Sequence, residues 1–208
     1  ASAAAGLFAS SSGASPRNVS CMALNKQNTD ILAVGYGQFD FNDQKDGGLV
    51  CCWSPKNVEY AERIFRFKTG VTSLDWSLMH PNLLAVGCAD GLVFIFDVRK
   101  RSQEAVIDTI DSPKRHLSAV RQVQWVVRES GGVAESQKQE VLVSASADGK
   151  IRQWSIRKGL ESSDLMKLKR QTMYIPGEPK KKSDALIARL DGGCSIAFNS
   201  HDSNIYLA

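Results

Sequence analysis

Histidine, cysteine, serine and carboxylates are the residues that could do chemistry, and their spacing in this 208-residue chain limits what that chemistry can be. The histidines are His80, His116 and His201, and none has a second His, Cys or carboxylate at ligand spacing, so no metal site is expected. Cys51 and Cys52 are adjacent in an apolar run. Neighbouring strand residues point to opposite faces, so two such thiols cannot converge on one ion. The run Asp40-Phe41-Asn42-Asp43-Gln44-Lys45-Asp46 alternates oxygen ligands as a calcium loop does. It carries Lys45 at the sixth position, where such a loop needs glycine, and Cys51 at the twelfth, where it needs glutamate. Gly35-Tyr36-Gly37 lacks the third glycine and helix of a phosphate cradle. No serine sits in a Gly-x-Ser-x-Gly elbow. His116, Ser144, Asp148 and Trp154 remain as one further polar grouping, placed around the strand-like runs of one stretch. With every catalytic and ligand pattern above incomplete, neither catalysis nor a cofactor is expected.

The elements that would hold this grouping recur along the chain. Val71-Thr72-Ser73-Leu74-Asp75-Trp76, Asn82 to Gly87 and Asp90 to Asp97 form one copy. Val19 to Leu24, Asp30 to Gly35 and Gly48 to Trp53 form an earlier copy, and Val120 to Trp125, Glu140 to Ser146 and Asp148 to Ser155 a later one. A fourth begins at Cys194-Ser195-Ile196-Ala197-Phe198 and reaches Asn204 to Ala208. Each copy consists of short Val-, Ile-, Leu- and Trp-rich runs bounded by Gly, Asp, Asn or Pro, a strand-and-turn pattern. Asp90-Gly91 and Asp148-Gly149 read as hairpin turns. The run Leu92-Val93-Phe94-Ile95-Phe96 is apolar throughout, as in a strand buried on both faces. Small antiparallel sheets with two apolar faces must stack radially, so the pattern predicts an all-β propeller. Corresponding valines lie 52 and 49 residues apart, and the interval from Val120 to Gly193 is 73. A plain blade needs about 40–45 residues. The surplus falls in polar insertions at Tyr36 to Gly47, Glu129 to Gln139 and Lys158 to Leu190.

In the third copy His116 stands four residues before Val120, Ser144 lies in the second strand, Asp148 in the turn and Trp154 in the third strand, and these stations resemble the WD-repeat family. The resemblance implies a buried hydrogen-bonded tetrad of structural role, with the histidine bridging the aspartate and the serine and the serine reaching the indole N–H. The first two copies lack the histidine, and the second ends in Phe96-Asp97 in place of Trp-Asp. The insertion before Cys51-Cys52-Trp53-Ser54, the phrase Pro81 to Gly87 and the phrase Val143 to Ile151 resemble dynein intermediate chains. Asp111-Ser112-Pro113-Lys114-Arg115-His116-Leu117 and Arg157-Lys158-Gly159-Leu160, continuing to Arg170, are similar to the axonemal intermediate chain of the two-headed inner-arm dynein. The resemblance covers residues 17–208. It implies about three and a half blades of a seven-bladed WD propeller, a number within the range known for propellers. It also implies a non-catalytic scaffold that grips a dynein heavy-chain tail in the axoneme of a cilium or flagellum. A second intermediate chain and light chains are partners implied for the full-length protein; light-chain binding is not carried over to this chain.

The expected organisation is a flexible low-complexity lead-in at 1–16, blades at 17–57, 58–102 and 103–158, a basic loop insertion at 159–190 and the start of a fourth blade at 191–208. The chain does not begin with Met and reads as a segment of a longer protein, its missing blades lying in the same or another polypeptide. Val19 to Leu24 and Ile205 to Ala208 would then be open ends that aggregate or seek a partner. Composition is that of a globular protein, 43% apolar and 23% charged, with no apolar run long enough for a bilayer. The odd count of five cysteines without a Cys-x-x-Cys pair points to a reducing, intracellular compartment. The net charge of +4 is too mild for a general nucleic-acid footprint. Lys167, Lys169, Arg170, Lys180, Lys181 and Lys182 form the candidate partner-contact loop, with Gln171 to Asp184 ordered only by a partner. The competing function is an adaptor in a ribonucleoprotein or other intracellular complex, with that loop on nucleic acid.

Overall fold

The computed structural model describes residues 17–37, 47–57, 59–130, 137–156, 159–169 and 190–208. All its regular elements are strands. The first sheet contains β1 (Asn18–Leu24), β2 (Leu32–Gly37), β3 (Leu49–Trp53) and β4 (Arg63–Arg66), paired antiparallel in that order. The second contains β5 (Val71–Trp76), β6 (Leu83–Cys88), β7 (Val93–Asp97) and β8 (Ile107–Asp108). The third contains β9 (Val120–Ser130), β10 (Gln137–Ser146), β11 (Lys150–Ser155) and β12 (Glu161–Lys167). β13 (Ala197–Phe198) and β14 (Tyr206–Leu207) form a final two-stranded pair.

The sheets stack face to face, β5 packing on β1 and β2, and β9 on β5 and β6. Strand alternation sends side chains to both faces, so each seam between sheets is its own core. Val50, Cys52, Phe65, Leu74, Trp76, Leu84 and Phe96 fill the first seam. Ile95, Val123, Trp125, Leu142 and Trp154 fill the second, and Val141, Val143, Ile151 and Ile196 the third. Cys51 turns away from Cys52 into a separate cluster with Val34, Tyr36 and Leu49. Burial pushes the Cys51 thiol up to about 11 and that of Cys52 up to about 12, so both stay protonated packing groups.

The first strand of each four-stranded sheet carries a bulge at the same place. The pairing register skips Ser20 in β1, Thr72 in β5 and Arg121 in β9. Each bulge adds local twist and turns one side chain out of the ladder. Thr72 uses it to donate its hydroxyl to Gly87 O at 2.9 Å and to Val120 O of the next sheet.

Two polar insertions expected from the sequence prove partly regular. β9 and β10 run to Ser130 and from Gln137, lengthening the hairpin through residues expected as a loop. The segment expected as a loop from 159 supplies β12, the fourth strand of the third sheet. Its sequence reads polar because a bulge opposite Ile151 and Arg152 skips Leu165 and breaks the alternation.

Candidate functional site: a buried polar chain in the third sheet

Four separate segments bring the polar residues together. Ser144 lies in β10 and Trp154 in β11. Asp148 occupies the turn between them, and His116 lies in the link from β8 to β9. Gly149 takes φ +74 in that turn, and a Cβ there would stand 2.5 Å from Asp191 O. Gly91, at φ +86 in the matching turn of the second sheet, lies beneath His116 in the same way, its Cβ position 2.4 Å from His116 O. Glycine is required at both positions by conformation and by the passing backbone. The turn of one sheet thus fixes the height of the link that delivers the next sheet's first strand.

The chain of bonds runs in one direction. The Trp154 indole N–H donates to Ser144 Oγ at 2.7 Å, and Ser144 Oγ lies 2.7 Å from His116 Nε2. His116 Nδ1 lies 3.1 and 3.3 Å from the two oxygens of Asp148. The carboxylate also accepts Leu117 N–H at 3.2 Å and Lys150 N–H at 3.0 Å. The tautomer that fits places the proton on Nδ1, donated to Asp148, and leaves Nε2 to accept the serine O–H. Burial pushes His116 below the ordinary histidine value, with Arg152 and Lys150 acting the same way and Asp148 opposing. For Asp148, burial pushes upward, but His116 and the two backbone N–H groups outweigh it and hold the carboxyl below the usual range.

A serine, a histidine and an aspartate in line have the connectivity of a hydrolase triad. Here the serine hydroxyl is spent: it donates to His116 and accepts from Trp154, and Ser144 and His116 are 0% and 1% exposed. No substrate can reach it. The second sheet fills the matching stations with Phe67, Val86 and Phe96, keeping only Asp90 of the polar set. Phe67 meets Phe96 edge-on at 5.6 Å, much as His116 meets Trp154 edge-on at 6.0 Å. The ring geometry persists where the hydrogen bonds are lost.

Of the basic residues expected to meet a partner, Lys167 stands in β12 with its amine 3.6 Å from Asp164, and Lys169 makes a single bridge to Leu190. Arg170, Lys180, Lys181 and Lys182 lie outside the described residues, as do the calcium-like run 40–46 and the loop 171–184. His80 and His201 fall outside the strands. Among the described residues no cluster of three or more His, Cys, Asp or Glu is placed to hold a metal ion.

Sequence reasoning missed the polar contacts that tie sheet to sheet. Trp76 Nε1–H donates to Ala23 O at 3.0 Å, and Trp125 Nε1–H to Asp75 O at 3.2 Å, one repeated link across two seams. The Asp75 carboxylate accepts Trp125 N–H at 2.7 Å and pairs with Lys26 at 2.9 Å, so it touches both flanking sheets. Glu140 of β10 receives Ser77 Oγ–H, Leu78 N–H at 2.6 Å and Met79 N–H at 3.3 Å from a loop of the second sheet. The tryptophan repeated at the same distance after Val71 in β5 and Val120 in β9 was a readable signal; nothing local marks Glu140.

These stacked four-stranded antiparallel sheets, glycine turns and His-Ser-Asp-Trp chain define a segment of a WD-repeat β-propeller. The WD domain, G-beta repeat model matches residues 62–97 and 110–155. The solved structure titled "Structure of Dos1 propeller" superposes at a TM-score of 0.53 over 75% of this chain and 35% of its own, at 11% identity, a likeness of fold alone. Dynein axonemal intermediate chain 4 of Homo sapiens is 50% identical over 194 residues, 92% of this chain and 23% of its own length. The Xenopus laevis protein of that name is 48% identical over 92% of this chain and 26% of its own. The 78 kDa intermediate chain of the flagellar outer arm of Chlamydomonas reinhardtii is 32% identical over 88% of this chain and 25% of its own. The chain belongs to the axonemal dynein intermediate chain family and spans about a quarter of the length of these relatives.

Proposed function

We propose that this chain is part of a non-catalytic scaffold subunit of an axonemal dynein, working in a cilium or flagellum, with its propeller binding the tail of a dynein heavy chain. The single observation that carries the reading is the graded similarity: 44–50% identity to proteins named axonemal intermediate chain 4, against 32% to an outer-arm chain, over nearly the same span. The gradient also favours an arm other than the outer one, in keeping with the inner-arm resemblance. The polar chain of the third sheet is assigned a structural role, holding one blade in the shape a binding surface needs. Its serine, buried and bonded on both sides, supports that structural role.

The test is affinity capture of the tagged full-length protein from axonemal extract, with nuclease-treated and untreated halves analysed by mass spectrometry. Recovery of dynein heavy chains, unaffected by nuclease, is the expected result. Recovery of RNA-dependent partners without heavy chains would replace this reading with the ribonucleoprotein adaptor.

A further inference from the structure

The link that delivers His116 carries a second feature that the polar chain does not use. The sequence contains three Ser-Pro pairs, Ser15-Pro16, Ser54-Pro55 and Ser112-Pro113, and only the last has a basic residue three positions on, Arg115. Ile110 to Arg115 is a short loop between two buried anchors, Thr109 at 0% exposure and His116 at 1%. Pro113 takes the second place of a turn closed by Arg115 N–H to Ser112 O at 3.2 Å, and Ser112 Oγ accepts Lys114 N–H at 3.4 Å. Both bonds are long and local. The turn around Ser112 can therefore open while its ends stay anchored, and the contacts it strains are those of Lys114 to the third sheet.

We propose that Ser112 is a phosphorylation site for a proline-directed protein kinase, and that its phosphate loosens the seam between the second and third sheets. Proline after the serine presents no N–H to be satisfied in a kinase groove, and Lys114 and Arg115, both exposed, offer charge to an acidic kinase surface. In the reaction Ser112 Oγ bonds to the γ-phosphorus of ATP, the bond from that phosphorus to the bridging oxygen breaks, and ADP leaves. The hydroxyl proton passes to the kinase's base.

What the phosphate would meet is set by the cleft beside the loop, about 450 Å³ in volume. Asp108 and Asp111 line one side and Glu161 and Ser162 of β12 the other. Lys114 spans it, its amine donating to Ser162 O at 3.3 Å, while its own carbonyl accepts from Arg152 Nη1. A phosphoserine brings a charge of about −1.5 to −2 and competes for that amine. It also repels the three carboxylates. Lys114 is drawn to the phosphate, Ser162 loses its cross-seam donor, and the cationic lip of Lys114 and Arg115 is neutralised.

The test uses the full-length protein with a purified cyclin-dependent kinase and ATP, with phosphosites mapped by mass spectrometry and amide exchange followed in β12. The expected result is phosphate on Ser112 at roughly tenfold or more over Ser54, lost in Ser112→Ala and Pro113→Ala. Exchange at Ser162 and Ser163 should be roughly fivefold faster in the phosphoprotein, since local opening sets exchange. A synthetic peptide of residues 108–119 serves as the control. If the peptide is modified and Ser112 of the folded protein is not, the site is refuted; if Ser112 is modified and exchange in β12 is unchanged, the seam effect is refuted.

Discussion

His116 bridges the Asp148 carboxylate and the Ser144 hydroxyl, and the hydroxyl in turn takes the Trp154 indole N–H. Removing its ring leaves the buried Ser144 O–H without an acceptor and takes one donor from Asp148, at a cost of roughly 1–3 kcal/mol. The His116→Ala variant of the full-length protein should accordingly melt earlier by several degrees in calorimetry, and an unchanged melting temperature would contradict the role assigned here. The sign of the pH dependence follows from its depressed pKa. The unfolded histidine titrates near 6.5 and the folded one lower, so its contribution is complete above about pH 6.5 and is lost as the pH falls below that value. Protonated Nε2 would face a serine that already accepts from Trp154, leaving the serine O–H with no acceptor. Urea midpoints measured from pH 7.5 down to 5 should fall for the wild type and flatten for His116→Asn. This chain was legible in the sequence because four chemically distinct residue types stand, in the third copy, at the stations of the family that the sequence resembles. Ser112 was not, since its neighbours across the cleft come from β12.

Between elements, polar contacts set the stacking distance that apolar seams leave loose. Glu140 gathers one O–H and two N–H donors from the loop after β5, and no other described side chain accepts them. In the Glu140→Gln variant the amide turns one donor toward three others, so a loss of roughly 1–3 kcal/mol is expected, measurable by urea unfolding at pH 7. Equal stability of the two proteins would show that water can serve the loop instead. Glu140 escaped sequence reading because a glutamate at the head of an apolar run marks nothing by itself; its meaning lies 63 residues away at Ser77. β12 was hidden for another reason. In Glu-Ser-Ser-Asp-Leu-Met-Lys only Ser162 is fully buried, and the skipped Leu165 shifts the phase of the pattern. Strands β1 to β3, β5 to β7 and β9 to β11 lie close to where period-two patterning and the glycine turns put them.

For the whole molecule, the repeat gave the architecture and left its outer surfaces open. Met22 and Leu24 of β1 are 66% and 53% exposed, and Leu207 at the other end of the stack is 78% exposed. Apolar residues grouped on a sheet face invite association. Residues 17–208 produced alone should therefore elute from a sizing column as oligomers, and Met22→Lys with Leu24→Glu should shift them toward monomer; a sharp monomer peak for the unaltered segment would contradict this. The seams themselves are unequal. Two are pinned by an indole donating to a carbonyl on the first strand of the preceding sheet, but the position of Trp76 and Trp125 is Phe198 in the last repeat, which has no donor. There the amide of Gln122 grips Ile196 N–H at 2.8 Å and Ile196 O at 2.9 Å, with Ser195 Oγ–H at 2.8 Å. In the proposed function the chain is pulled as well as bound, and blades in series all carry the same tension. Three bonds hanging on one flexible side chain make a softer spring than a rigid ring locked into its neighbour. Pulled in an optical trap, the full-length protein should part first ahead of β13, and Gln122→Ala should lower the force of that first step while leaving later ones unchanged.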